Sequence, residues 1–388
     1  MAAVFLKKNE SRRIRNGHLW VFSNEIAKTE GGPETGALVE LYDNKDFLGT
    51  GFYNKNSLIT LRLLSPLYKD DLSEYIRESI MNAYTLRKNF YPNRDSFRLV
   101  FSESDFLPGL IIDKYNNTFV LQVYSFGMNE NIQMVVDVLK NELNAENIFT
   151  RNDAYFRKLE GLPEDDTIYL GEVGVETIDD GKMKYRIDFA SSQKTGFYFD
   201  QCDNREFVER LSKGKTVLDA FCNSGGFGMH VASAGAGYVT FLDSSAGEIT
   251  NAEKNFTLNG LESETDFINM DVFDYLQKSI DAGRTFDVVM VDPPAFAKSR
   301  KSIPTALKGY AKLNKMAASC VGVNGYLVTS SCSHHINRDD FIEAVVSGAA
   351  KAGKQLQQIH FSGPSMDHPI LPAMAETTYL KFAVFKVI

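Results

Sequence analysis

Thr216-Val217-Leu218-Asp219-Ala220-Phe221-Cys222-Asn223-Ser224-Gly225-Gly226-Phe227-Gly228 reads as an apolar strand that enters a glycine turn and then a helical pattern from Met229 to Ala236. Side chains in such a turn would block close approach of a ligand, and the amides opening the next helix offer hydrogen-bond donors. Alone the stretch is a weak signal. No Gly-Lys-Ser/Thr follows, so it is not the phosphate-cradling pattern, and its spacing departs from the dinucleotide fingerprint. Two downstream stretches give it meaning. Val288-Val289-Met290-Val291-Asp292-Pro293-Pro294-Ala295-Phe296 and Gly325-Tyr326-Leu327-Val328-Thr329-Ser330-Ser331-Cys332-Ser333 are each an apolar run that stops abruptly at polar residues. In an open parallel sheet such stops put Asp292 and Cys332 at the carboxyl edge, where ligands bind. The expected fold class of the C-terminal half is therefore α/β.

A further strand, Tyr238 to Leu242, ends at Asp243, 24 residues beyond Asp219. An acid at the end of the second strand accepts ribose hydroxyls in nucleoside-binding sheets. A helix from about 246 to 259 follows, then Phe267-Ile268-Asn269-Met270-Asp271, whose last residue is placed to accept the exocyclic amine of adenine. Acids at successive strand ends with a glycine turn after the first describe a pocket for an adenosyl group without phosphates. The implied cofactor is S-adenosyl-L-methionine. Its expected contacts are Asp219, Phe221, Asn223 and Gly225, then Asp243 with Ser244, Asp271 with Val272, and Asp292. Gln201, Asp200 and Arg205 precede the first strand and would close over the methionine end, although Arg205 reads equally as a helix-surface base.

The order Asp-x-Phe-Cys-x-x-Gly-Gly-Phe (219–227), Asp243, Asn-Phe-x-Leu-Asn-Gly (255–260), Asp-Pro-Pro-Ala-Phe-Ala-Lys-Ser (292–299) and Ser-Cys-Ser-His-His (331–335) resembles the bacterial large-subunit rRNA cytosine-5 methyltransferases. The likeness extends through Lys194-Thr195-Gly196-Phe197-Tyr198-Phe199-Asp200-Gln201 and Gly17-His18-Leu19-Trp20-Val21-Phe22-Ser23-Asn24-Glu25, so it covers nearly the whole chain. The resemblance implies an N-terminal PUA domain, a small α+β middle domain and a class I, Rossmann-like methyltransferase domain acting on ribosomal RNA. Two departures stand out: Cys202 replaces a common basic residue, and Asn223-Ser224 replaces a common Tyr-Thr pair.

At 388 residues the chain is too long for one compact core, and 44% hydrophobic residues supply ample material for several. Short alternating runs over residues 1–68 (37–42, 47–53, 58–64) predict a small β-barrel, closed off at Pro66, which the resemblance implies is the RNA-binding PUA domain. Residues 69–185 read as an α+β domain: a helix at 72–89, strands at 98–101, 109–113 and 118–124, and a helix at 129–142. An alternating run at 183–189 predicts a hairpin leading into the methyltransferase domain, 186–388. No apolar leader or bilayer-spanning run is present, so the cytoplasm is the expected location and no membrane partner is expected. Oligomeric state stays open, a homodimer among the options. Four cysteines (202, 222, 320, 332) without a Cys-x-x-Cys pair argue against zinc and against a disulfide framework.

The net charge of −8 speaks against a nucleic-acid partner globally, but local counting reverses this. Lys298, Arg300, Lys301, Lys308, Lys312 and Lys315 form a run without an acid just beyond the Asp292 strand end. Lys7, Lys8, Arg12, Arg13, Arg15 and Lys28 form a second cluster, against Glu10 and Glu25. Most such runs are solvated faces. Two of them, one at the mouth of the site, favour RNA contact, with Pro293, Phe296, Lys298, Arg300 and Lys301 touching substrate.

Carbon 5 of a pyrimidine is a poor nucleophile until a thiolate adds to carbon 6. Cys332, with His334 and His335 beside it, is the expected nucleophile; its competing reading is a buried structural thiol. Asp292 would hold the ring's N3 and exocyclic amine, and Pro293-Pro294 prevent a helix from starting there. Many RNA cytosine-5 methyltransferases carry a second cysteine after this proline; Pro294 stands there instead, which implies a single-thiol mechanism. A base must then remove the C5 proton, and Glu376 resembles the base of related uridine-5 methyltransferases. Two rivals remain: methylation of a purine exocyclic amine through the Asp-Pro-Pro-aromatic pattern, which needs no thiol, and a non-catalytic RNA-binding assembly factor. Residue chemistry alone does not choose between cytidine and uridine.

Overall fold

A computed structural model describes residues 1–190, 195–297 and 299–388. The chain divides into two compact units: Met1–Ile178 with Ile187–Phe199 and Met366–Thr377, and Asp179–Arg186 with Asp200–Ser365 and Thr378–Ile388. Segments 1–68 and 69–185, read from sequence as separate domains, thus share most of one unit, and 366–377 joins them rather than the C-terminal sheet.

Within the first unit, residues 2–65 form a six-stranded mixed sheet whose core is Val4, Val21, Val39, Leu41, Leu61 and Leu63, with Met374 inserted among them. Met374 has no exposed surface, which explains why its segment belongs here. A five-stranded sheet follows, backed by the helices Leu72–Phe90 and Ile132–Glu142. Asp71 starts the first of these helices by accepting the Glu74 amide, and Ile76, Ile80 and Ala83 recur on its buried face. Phe52 and Leu64 of the first sheet lie in the same apolar cluster as the second, so no solvated linker separates the two.

The second unit is built on seven strands: β1 (Thr216–Ala220), β2 (Tyr238–Asp243), β3 (Glu264–Asn269), β4 (Phe286–Val291), β5 (Val321–Ser331), β6 (Leu356–Ser362) and β7 (Lys381–Val387). Their spatial order is β3-β2-β1-β4-β5-β7-β6. The first five are mutually parallel and β7 runs antiparallel to both its neighbours. Order reverses between β1 and β4, which makes their carboxyl ends the topological switch point. Helices α1 (Gly226–Ser233), α2 (Ala246–Leu258), α3 (Val272–Asp281), α4 (Ile303–Ser319) and α5 (Arg338–Lys351) follow β1 to β5 in turn. Strand β4 reads as a continuous apolar run because both its faces are covered: Val288, Val289, Met290 and Val291 are all at most 2% exposed.

Glycine is demanded at 228 by close approach of α1 to β2. A Cβ there would sit 2.1 Å from the Phe241 ring. Gly228→Ala is expected to cost about 1–3 kcal/mol through overpacking and lower the thermal midpoint of this unit by about 3–10 °C. Differential scanning calorimetry against the parent chain checks this, and an unchanged midpoint would show that the helix shifts without cost.

Candidate active site

Asp219 is buried one residue short of the end of β1, and its Oδ2 accepts the Gly228 amide at 2.7 Å. It therefore clamps the start of α1 across the glycine turn. Within that turn Phe221 (φ 64°), Asn223 (φ 49°) and Gly225 (φ 90°) are all left-handed, a strained curl that two non-glycine residues sustain. The curl delivers the Asn223 amide to Asp243 Oδ2 at 3.0 Å, while the Ser245 amide reaches Oδ1 at 2.9 Å. A carboxylate has about four lone-pair positions, so two remain for the vicinal hydroxyls of a ribose. Asp271 is exposed and caps α3, its Oδ1 accepting the amides of Phe273 and Asp274. Val272, directly after it, is buried. These acceptors suit the hydroxyl and amine donors of an adenosyl group and would repel phosphates, so the residues present fit S-adenosyl-L-methionine.

Asp292 stands just past β4 at the switch point. Gln201 Nε2 donates to its Oδ2 at 3.1 Å, and the Ser330 hydroxyl donates to Oδ1. Gln201 is itself held by Asn204 Nδ2 at 2.7 Å, and Asn204 Oδ1 accepts from Ser362 at 2.6 Å. A relay through the buried Gln201 and Asn204 to the half-buried Ser362 thus fixes the carboxyl's orientation. Burial pushes the Asp292 carboxyl up to about 6, against the pull of the Ser330 and Gln201 donors. Burial, with the nearby Asp292 charge adding to it, pushes Asp219 up to about 7.

Residues Val291 and Thr329 are paired between β4 and β5, so the chain beyond β5 brings Cys332 alongside Asp292 and Pro293. Cys332 Sγ lies 3.9 Å from the Pro293 carbonyl. It is half-buried, whereas Cys202, Cys222 and Cys320 are buried. Burial raises the thiols of Cys222 and Cys320, the latter to about 11, which leaves both poorly suited to ionise. Among the described residues, no three His, Cys, Asp or Glu side chains gather as a metal-holding group, and no helix is long and apolar enough to cross a membrane.

Residues 145–385 match the S-adenosylmethionine-dependent methyltransferase family, and residues 4–66 match the PUA-like domain. The chain belongs to this methyltransferase family. The chain is 35% identical to the ribosomal RNA large subunit methyltransferase I of Photobacterium profundum, over 98% of each protein. It is 34% identical to the enzyme of the same name from Aeromonas hydrophila, over 99% of each. In fold it is similar over its full length to a crystal structure described as a methyltransferase complexed with SAH, with a TM-score of 0.86 at 21% identity. The α/β architecture with an N-terminal PUA-like domain, and S-adenosylmethionine as cofactor, thus stand as read from sequence.

In this methyltransferase the other expected site residues are distributed unevenly. Pro293 is buried and Ser244 exposed, next to their respective acids. Arg205, read equally as a surface base, is buried: a Cβ on Gly226 would meet its Nε at 2.6 Å, so the guanidinium underlies the glycine turn after β1. Phe296 is committed to packing, its ring 4.6 Å from that of Tyr310 and against Gly309. Arg300 and Lys301 are exposed on the turn before α4, and Lys308, Lys312 and Lys315 are exposed along α4 itself, while Lys298 lies outside the described residues. The N-terminal basic cluster is less positive than its count suggests. Arg13 pairs with Glu25, Arg15 with Asp43 and Asp46, and Lys28 with Glu30. Glu376 belongs to the first unit, 3.5 Å from His18 Nε2, and that imidazole lowers its proton affinity. A carboxylate so held is a weaker base, which counts against the expected role in removing the C5 proton. Sequence reasoning missed Ser330 and Asn204; buried hydroxyls at the end of an apolar strand were the available signal for the first.

Proposed function

We propose that this methyltransferase modifies carbon 5 of a cytidine in large-subunit ribosomal RNA through a covalent adduct with Cys332. The observation that carries the reading is the juxtaposition of a half-exposed thiol and a half-buried carboxyl of raised proton affinity at adjacent ends of β4 and β5. The names of the full-length relatives support the RNA substrate, as does the exposed basic face of Arg300, Lys301, Lys308, Lys312 and Lys315.

When bound, S-adenosylmethionine supplies an electrophilic methyl group; Asp243, Asp271 and the amides of the 221–225 turn would hold it. Cys332 Sγ, as thiolate, adds to carbon 6 of the base, and the ring's electron pair moves toward N3. Asp292 in its protonated form gives N3 its proton, which leaves carbon 5 an enamine carbon able to take up the methyl group. Loss of the C5 proton to solvent then expels Cys332 as thiolate, and N3 returns its proton to Asp292, which restores the neutral ring. Neutral cytosine presents N3 as an acceptor, whereas uracil presents an N3–H donor. A carboxyl whose pKa is pushed up to about 6 favours the cytosine arrangement, because covering it with substrate raises its proton affinity further. Amine methylation is disfavoured by the placement of Phe296, which packs on Tyr310, one residue beyond the Asp-Pro-Pro triplet's neighbour.

Incubation with tritiated S-adenosylmethionine and protein-free large-subunit rRNA, followed by nucleoside analysis, is expected to yield 5-methylcytidine. An N-methylated purine would replace this reading with amine methylation. RNA binding with no transfer would point to the assembly-factor role.

A further inference from the structure

Lys381 opens β7 and is 4% exposed, paired in register with Ser331 of β5. Its ammonium donates to the Ser333 carbonyl at 2.7 Å and to the Tyr379 carbonyl at 2.6 Å. These carbonyls bracket the place where the chain turns out of β5 at Cys332. Among the described residues no carboxylate lies within ion-pairing distance of the ammonium. A buried ammonium held by neutral carbonyls alone bears a desolvation cost of several kcal/mol, and it has a third N–H to place. After Lys381, β7 reads Phe-Ala-Val-Phe-Lys-Val, and of its two lysines Lys381 is the buried one.

From this placement we infer that Lys381 is the counter-ion of the Cys332 thiolate, a positioning residue that lowers the energy of ionising the nucleophile and holds the strand end that carries it. The inference rests on Cys332 being the nucleophile. Burial draws the Lys381 ammonium down to about 8 and the charge of Cys332 pushes the other way, as expected of a coupled pair. At neutral pH the lysine is still largely protonated; on ionisation the thiol's proton passes to solvent and the ammonium stays as partner. Several other polar groups surround the pair. Tyr379 gives its hydroxyl to Asp200 at 2.6 Å, His334 stacks on the Tyr379 ring, Tyr310 shares a 3.0 Å hydrogen bond with the Ser333 hydroxyl, and Asp292 is engaged by Ser330 and Gln201. The carboxyls of Asp200 and Asp292 oppose thiolate formation, whereas the Lys381 ammonium on the β7 side favours it.

The test is the pH dependence of iodoacetamide labelling at Cys332, read by peptide mass spectrometry on the full chain without RNA or cofactor. Wild type is expected to label with an apparent pKa below the roughly 8.5 of a free cysteine. Lys381→Met should raise that value by about one unit or more and slow labelling at pH 7 by about tenfold, while Lys381→Arg retains a depressed value. Circular dichroism confirms folding of each variant. A wild-type value at or above about 8.5, which needs no variant to measure, or an unmoved value in folded Lys381→Met, overturns the pairing. Methyl transfer separates the two ideas. If Cys332→Ala is inactive while the labelling pKa is normal, the nucleophile stands and the lysine's role falls. If Cys332→Ala still methylates while the labelling pKa is low, the pair exists but the covalent mechanism is wrong.

Discussion

Cys332→Ala is expected to abolish methyl transfer to large-subunit rRNA, by on the order of 10⁴-fold or more, without weakening S-adenosylmethionine binding beyond about twofold. The size follows from removing a covalent nucleophile: no other described cysteine is both accessible and free of a burial penalty on its thiolate. Binding is spared because the cofactor contacts expected at Asp243, Asp271 and the 221–225 turn lie on β1 to β3, not at the end of β5. RNA in which the target carries 5-fluorocytidine sharpens the test. Fluorine cannot leave as a proton does, so the wild-type adduct should persist through denaturing electrophoresis and Cys332→Ala should give none. A mutant that methylates near the wild-type rate would return Cys332 to a structural role and favour amine methylation.

Much of the site is legible in sequence because parallel strands on both sides of a switch point end together. Once the apolar runs stop at Asp219, Asp243 and Asp292, topology alone gathers them, and the pairing of β4 with β5 brings in Cys332. What a strand-end residue does there is less legible. Asp219 lies one residue inside its strand, so it faces the helix amide at Gly228 and acts as a clamp. Asp271 lies two residues beyond its strand and directly before Val272-Phe273-Asp274, the position of a helix cap, which is the use the fold makes of it. Contacts joining distant segments leave no local trace: the Gln201–Asp292 hydrogen bond spans 91 residues. Glu376 shows the same limit from the other side, because the burial of Met374 in the N-terminal core, not any spacing, draws its loop to His18. Charge counting fails at the N-terminus for a related reason, since Asp43 and Asp46, outside the counted window, pair with Arg15 inside it.

Asp292→Asn is expected to lower kcat by about 10²–10³-fold while raising stability at alkaline pH, two opposite signs that damage to the fold cannot produce together. An asparagine of the same shape can be accommodated: its Oδ1 accepts from Gln201, and the Ser330 hydroxyl rotates to accept from Nδ2. What it cannot do is give up a proton to N3. In wild type the rate should rise with pH as Cys332 ionises and fall again as Asp292, with a pKa near or above about 6, loses the proton it must donate. In Asp292→Asn the alkaline fall should vanish, leaving a rise to a low plateau. The stability sign follows from the same shift. The folded pKa lies above the unfolded value of about 3.8, so the contribution of the protonated acid is fully present below about pH 4 and is lost as pH rises through about 6. At pH 8 the wild-type protein bears the cost of a buried carboxylate, and asparagine, which never ionises, should relieve about 1–3 kcal/mol of it. Thermal unfolding at pH 5 and pH 8 reads this directly: the variant should gain relative to wild type only at the higher pH. Retained activity with an unaltered alkaline limb would remove Asp292 as the proton donor and leave its carboxylate a hydrogen-bond acceptor for an exocyclic amine.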